Sequence, residues 1–410
     1  MSLIYFIREN ARWLAAGVLL TFISSFGQTY FISIFAGEIK AEFGLSDGEW
    51  GSLYFLGTMA SGFLMIWAGA SADHFRVRTL AVVVILTLVA VCLAMSAVSS
   101  VWMLPVVIFG LRFTGQGMTS HIAVVAMARW YVRARGKALS IAGAGYSMGE
   151  AVLPMMFVGL LASGSWRNLW VVAACIAGLS IPVLVWLLRS ERVPSVASMR
   201  NDALGMQGRH WKRADVVRDW RFWALVPIIT VSSIFGTALF FQQVHLGDVK
   251  GLEHRDIVRM FPIYTITTGI AAIFSGLAID RWGAVQLLPI IPVPMAAGFA
   301  VMGLSDSRLM LAMGFALVGL SGGIYGTVSG AFWPEIYGTR FIGAIKALAT
   351  ALMVIGSAIG PALTGLGIDA GVNFPQQMVW YAIYMIVVTV WSVFVVSKIW
   401  PDMQPSAADA

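Results

Sequence analysis

The sequence predicts an all-α membrane protein of twelve transmembrane helices arranged as two pseudo-symmetric six-helix bundles. Composition is the first reason: 59% of the 410 residues are hydrophobic and only 11% are charged, at a mean hydropathy of +0.82, whereas a soluble chain carries about a quarter charged residues. Apolar runs of roughly 20 residues are the second, each long enough to cross about 30 Å of hydrocarbon as a helix. The third is a repeat. The charged knot from Gly69 through Asp73, Arg76 and Arg78 lies between two apolar runs, and a related knot, Gly276-Leu-Ala-Ile-Asp280-Arg281-Trp-Gly283, returns 207 residues later. The same offset relates Arg133 to Arg340, Gly136 to Gly343 and Pro154 to Pro361.

Helix 1 is expected from about Trp13 to Ala36, with a polar middle of Ser24, Ser25, Gln28, Thr29 and Tyr30. Such residues in lipid either bond neighbouring helices or line a cavity. Ser46-Asp47-Gly48-Glu49 has the spacing of a capping box at the start of helix 2. Helix 3 spans roughly Leu80 to Met95, and helix 4, about Trp102 to Ala128, carries Arg112 and His121. Helix 5 holds Gly143, Gly145, Gly149, Glu150 and Pro154, and helix 6 ends near Leu188. Residues 1–188 thus make the first bundle. Residues 189–219 turn polar and basic, as a cytoplasmic linker would. The second bundle, 220–400, repeats the plan, with a kink expected at Pro289, Pro292 and Pro294 of helix 9, a Gly-rich helix 10, and a disordered tail at 401–410.

Charge placement sets the orientation. With both termini cytoplasmic, twenty of the 27 Lys and Arg fall on the inner side or in the linker, six fall outside, and Arg112 lies within the membrane. The net charge of +7 therefore needs no nucleic-acid partner. Cys92 and Cys175 fall inside apolar helices and supply neither a metal cluster nor a disulfide framework. The short segment before Arg12 has no cleavage-type signal, so helix 1 is expected to be retained as an anchor.

The pattern Gly-x-x-x-Asp between helices 2 and 3, followed by Arg76 and Arg78 and partly repeated between helices 8 and 9, resembles the signature of the major facilitator superfamily. Leu111-Arg112-Phe-Thr-Gly115-Gln116-Gly117 is similar to that family's helix-4 motif, and the Gly-rich helix 5 to its helix-5 motif. The resemblance implies two bundles rocking about a central site open alternately to each side, with Gly69, Asp73, Arg76, Arg78, Gly276, Asp280 and Arg281 in gating and Asp73 near the start of helix 11. This copy departs from the pattern where His74 replaces the usual base, where Arg76 takes a glycine position, and where basic residues are missing after Gly283. The Arg-Trp-Tyr and Arg-Gly-Lys-Ala segments between helices 4 and 5 are also similar to the bacterial monocarboxylate and oxalate/formate branch.

A charge at the bilayer centre costs on the order of 3 kcal/mol on insertion scales, so Arg112 and Glu150 are the residues most in need of a reason. Either they form a permanent buried pair between helices 4 and 5, or Arg112 attracts an anionic substrate or fixes Glu150 while Glu150 takes a coupling proton. His121 is a secondary proton candidate; nine residues from Arg112, it projects from roughly the opposite face of an ideal helix. Gln28, Tyr30, Gln242, Gln243 and Tyr325 are candidates for reading polar substrate groups. Lys346 is expected to snorkel to the inner surface. Gly145-Tyr-Ser147-Met-Gly149 fits a hydrolase nucleophile elbow, but an apolar helix is the wrong setting for that chemistry. No phosphate-binding loop occurs, so an ion or substrate gradient must supply the energy.

The expectation is a multi-pass protein of a bacterial-type inner membrane, a monomer without cofactor or metal, and not an enzyme. It moves a small organic solute, preferably a monocarboxylate-like anion with a proton, by alternating access. The alternatives are transport of a larger neutral or aromatic compound and a ligand sensor that moves nothing.

Overall fold

The computed structural model describes residues 3–69, 71–131, 134–190 and 204–403, and these contain helices and no strands. The chain divides into two compact units, Met1–Met199 and Arg200–Ala410. Among the described residues ten helices are long and apolar enough to cross a membrane, and an eleventh span is a pair bent by 49° at residues 5–43. Leu179, Phe274 and Val390 are among many large apolar side chains left exposed, as lipid-facing residues are.

The bent pair is helix 1. It begins at Leu3, well before Trp13, and runs as Leu3–Ile23, a 3-10 turn at Ser24–Gly27, and then Thr29–Ile32, Ser33–Phe35 and Ala36–Phe43. Gln28 interrupts it with extended backbone, φ −83° and ψ 151°. The break lies in the polar middle, where side chains compete for the backbone.

Helix 4, the remaining expected span, is helical from Met103 to Trp130 but is not among the strongly apolar ones. Its centre is a π-helical stretch, Arg112–Thr119, of sequence RFTGQGMT. Thr119 Oγ1 donates to the Thr114 carbonyl five residues back at 2.6 Å. A Cβ on Gly27 of helix 1 would collide with the backbone of Leu111, Gly115 and Gln116. The two helices therefore meet backbone to backbone where both depart from α geometry.

Helix 2 (Asp47–Ala68) opens with the expected capping box. Ser46 Oγ accepts from the Glu49 amide at 3.1 Å, and Glu49 Oε2 accepts from the Ser46 amide at 2.9 Å. Helix 3 is Val77–Ser96 and helix 6 Trp166–Leu187. Helix 5, Arg135–Leu161, contains the Gly145–Gly149 segment in unbroken helix, with Pro154 inside it.

In the second unit, helix 7 runs from Trp220 through a π turn at Ser232–Gly236 to Phe241. Helix 8 is Phe261–Trp282, helix 10 Arg308–Tyr337, and helix 11 Ile342–Asp369. The prolines of helix 9 produce a 3-10 lead, Val285–Ile290, ahead of the α-helix Pro292–Leu304. Helix 12, Phe374–Met403, extends beyond the expected end of the bundle at residue 400, and Asp402 in its last turn pairs with Arg221. The tail residues 404–410 lie outside the described residues. The linker is more than a solvated strap where it is described. Met206 and Trp211 are buried, Trp211 Nε1 donates to the Met206 carbonyl at 3.2 Å, and its ring meets Tyr337 edge-on at 5.4 Å.

The repeat reappears in the packing. A Cβ on Gly145 of helix 5 would strike the Val18 carbonyl and the Thr21 hydroxyl, and one on Gly149 would strike the Ser25 hydroxyl. Across the offset, Gly356 of helix 11 faces Ser233 and Ile234, and a Cβ on Gly360 would strike the Ile234 carbonyl. Helices 5 and 1, like helices 11 and 7, thus approach closely over small residues. Gly145→Ala and Gly360→Ala are each expected to destabilise the protein by about 1–3 kcal/mol through overpacking. Gly143→Ala, which meets nothing within 4 Å, should leave the thermal unfolding midpoint of detergent-purified protein unchanged.

A buried acid and base in one polar cluster

The break in helix 1 leaves carbonyls without their usual helical donors, at the negative end of its first half. Arg112, only 2% exposed, fills that gap. Its Nη1 donates to the Gly27 carbonyl at 3.3 Å and to Thr29 Oγ1 at 3.2 Å. The guanidinium also sits over the Tyr54 ring, 5.4 Å from its centroid. The Tyr54 and Thr29 hydroxyls are 2.6 Å apart. A full positive charge is thereby held by a carbonyl, a hydroxyl and a ring face in a site removed from solvent.

Glu150 of helix 5 is 3% exposed. The Tyr146 hydroxyl, one turn earlier, donates to its Oε1 at 3.4 Å. The Tyr146 ring meets Tyr30 edge-on at 5.7 Å, and the Tyr30 hydroxyl donates to Ser25 Oγ at 2.9 Å. Tyr146 is within electrostatic reach of Arg112, and Tyr30 within reach of Glu150. Acid and base therefore belong to one cluster in the first unit, linked through Tyr30, Tyr54, Tyr146 and Thr29. Gln28 stands at the break itself.

Sequence reasoning missed Tyr54 and Tyr146. Tyr146 had a signal, since it lies four residues before Glu150 and so on the same helix face. Tyr54 had none, because its position depends on how helix 2 packs.

His121 stands apart from the cluster. Its Nε2 is 3.0 Å from the Gly69 carbonyl, at the end of helix 2. His121 follows the π stretch of helix 4, whose wider turn departs from the 3.6-residue count. Close by, Arg129 Nη1 donates to the Ala72 carbonyl at 2.9 Å. Arg76 precedes helix 3 with extended backbone and Arg78 is exposed, while the side chain of Asp73 lies outside the described residues.

In the second copy, Asp280 and Arg281 are exposed at the end of helix 8, and a Cβ on Gly276 would meet nothing. The anchoring carboxylate there is Glu335 of helix 10. Its two oxygens accept from the Ala284 amide at 2.9 and 3.0 Å, and Oε2 accepts from the Val285 amide at 3.2 Å.

The two glutamines that follow helix 7 have side-chain partners nearby. Gln242 donates to Thr364 Oγ1 of helix 11 at 3.2 Å, and Gln243 lies 3.2 Å from His254 Nε2. Tyr325 lines a cavity of about 230 Å³ in the second unit. Lys346, expected to reach the inner surface, lines the same cavity, with its ammonium 2.9 Å from the Gly330 carbonyl. Among the described residues no cluster of three or more His, Cys, Asp or Glu suits a metal ion. Replacing Arg112 by Met is expected to lower stability by about 3 kcal/mol, because two bonds from a charged donor are lost at a buried break. Arg112→Lys should recover only part of that loss in a thermal unfolding assay, because a single ammonium cannot reproduce the planar fork.

The sequence is 24% identical over 265 residues to an uncharacterised 38 kDa protein in the 23S RNA operon of Thermoproteus tenax, and the match spans 63% of this chain and 62% of that relative's length. In structure, the fold resembles a bacterial homologue of the human lysosomal transporter Spinster, at a TM-score of 0.69 and 17% identity, covering 97% of this chain and 99% of the other. It also resembles the nucleoside transporter NupG, at a TM-score of 0.72 and 13% identity over 96% and 99% of the two chains. The family model of the Major Facilitator Superfamily matches residues 17–263, more than half of the chain. With its all-helical fold and multiple candidate membrane spans, the chain belongs to the Major Facilitator Superfamily.

Proposed function

We propose that this transporter is a secondary carrier of a small monocarboxylate-like anion, coupled to a proton and working by alternating access. The observation that carries the reading is the presence of a buried carboxylic acid, Glu150, in the same polar cluster as a buried guanidinium, Arg112. A carboxyl group in that setting exchanges a proton at far lower cost than it carries a lasting charge in hydrocarbon. Arg112 is engaged at the helix-1 break, which favours a fixed positive charge that biases Glu150 over a mobile ligand hook. Tyr146, donating to Glu150 Oε1, offers the proton a hydrogen-bonded route into the cluster. His121 of helix 4, tied to Gly69 at the end of helix 2, is read as a structural contact of that end and not as a proton carrier. Gating by Gly69, Asp73, Arg76, Arg78, Gly276, Asp280 and Arg281, and an inner-membrane location with both termini cytoplasmic, form part of the same reading.

Purified protein in liposomes with an inwardly directed proton gradient is expected to concentrate labelled butyrate or benzoate. Glu150→Gln should abolish gradient-driven accumulation by at least about tenfold while sparing exchange of internal for external substrate. Accumulation of a neutral aromatic solute in place of the acids would move the cargo to the other class. Normal accumulation by Glu150→Gln would remove the proton role.

A further inference from the structure

We infer that the cavity of the second unit, between helices 7, 10 and 11, is a binding site for a single carboxylate group attached to an apolar body. The inference rests on the cargo being a small monocarboxylate and places its recognition at Lys346 and Tyr325. Three observations carry it. The Tyr325 hydroxyl is buried and has no hydrogen-bond partner among the described residues, yet the side chain lines the cavity. An unsatisfied buried hydroxyl is costly, and a ligand oxygen is the natural remedy. Lys346, in the second turn of helix 11, is the one positive group of the lining, and no acidic residue belongs to that lining among the described residues.

The remaining walls are Trp333, Ile229 and Met353, with the hydroxyls of Ser329 and Thr350. Trp333 is fixed by its ring contacts with Phe332 at 4.3 Å and Phe222 at 5.4 Å, so that wall is preformed. One cation beside the unsatisfied Tyr325 hydroxyl suits one carboxylate, and the apolar wall suits an alkyl or aryl tail. A second carboxylate would find no second cation in the lining. At about 230 Å³ the cavity is also smaller than the roughly 300–1,000 Å³ of sites for drug-sized ligands.

Equilibrium binding of labelled benzoate and butyrate to the full-length protein in nanodiscs tests the site, with succinate and benzamide as competitors. Both monocarboxylates should bind, and neither competitor should displace them at equal concentration. Tyr325→Phe, which removes only the hydroxyl, should weaken binding about fivefold to tenfold. Lys346→Met should weaken it by at least about 30-fold, with Lys346→Arg recovering most of the loss. Unchanged gel-filtration profiles and unfolding midpoints for these variants exclude misfolding as the cause. Equal benzoate binding by wild type, Tyr325→Phe and Lys346→Met overturns this site while leaving the monocarboxylate reading intact. Failure of the folded wild type to bind either acid overturns both.

Discussion

The first unit depends on one contact: the Arg112 guanidinium against the broken middle of helix 1. A helix interrupted inside hydrocarbon must find new partners for its freed backbone groups. Here the partner is a charge that itself needs neutralising, and each problem answers the other. The π stretch of helix 4 starts at Arg112 and brings Gly115 against Gly27, so that the backbone of one helix replaces the side chain the other lacks. Glu150 then stands in an environment whose electrostatics are fixed in advance, with Tyr146 donating to it and Tyr30 packed on Tyr146.

The two units repeat a plan without repeating its chemistry. After helix 2, a cation on helix 4 reaches a carbonyl, Arg129 to Ala72. After helix 8, an anion on helix 10 reaches amides, Glu335 to Ala284 and Val285. Both satisfy backbone groups at a short connection between spanning helices, and a helix N-terminus favours the anion. Gly149 and Gly356 keep the same offset and the same duty of close packing against a polar turn of helix 1 or helix 7. What duplication preserved is geometry at the backbone, and the side chains that exploit it have diverged.

Hydropathy, the 207-residue offset and the capping box were legible because each reflects a local rule: span length, repetition, or a side chain three residues from its amide. Arg112 and Glu150 were legible as costs, since a charge inside an apolar run demands a reason whatever the fold. The break at Gln28 and the π stretch were not, because polar serines and glycines are compatible with continuous helix as well as with interruption. Gln242 and Gln243 were candidates as polar residues near the outer end of helix 7, and only tertiary packing shows Thr364 and His254 beside them. Lys346, a lysine near a helix end and half-buried, donates to a helix-10 carbonyl, a partner that its position in the sequence did not reveal.

The central claim is that Glu150 changes its protonation during transport inside a cluster held by Arg112. Infrared difference spectroscopy of the reconstituted protein, on addition of a transported monocarboxylate, reads that event directly. The account predicts a change in the protonated-carboxyl stretching band that is absent in Glu150→Gln. The same band change persisting in Glu150→Gln, or no band change in a wild type that transports, would contradict it.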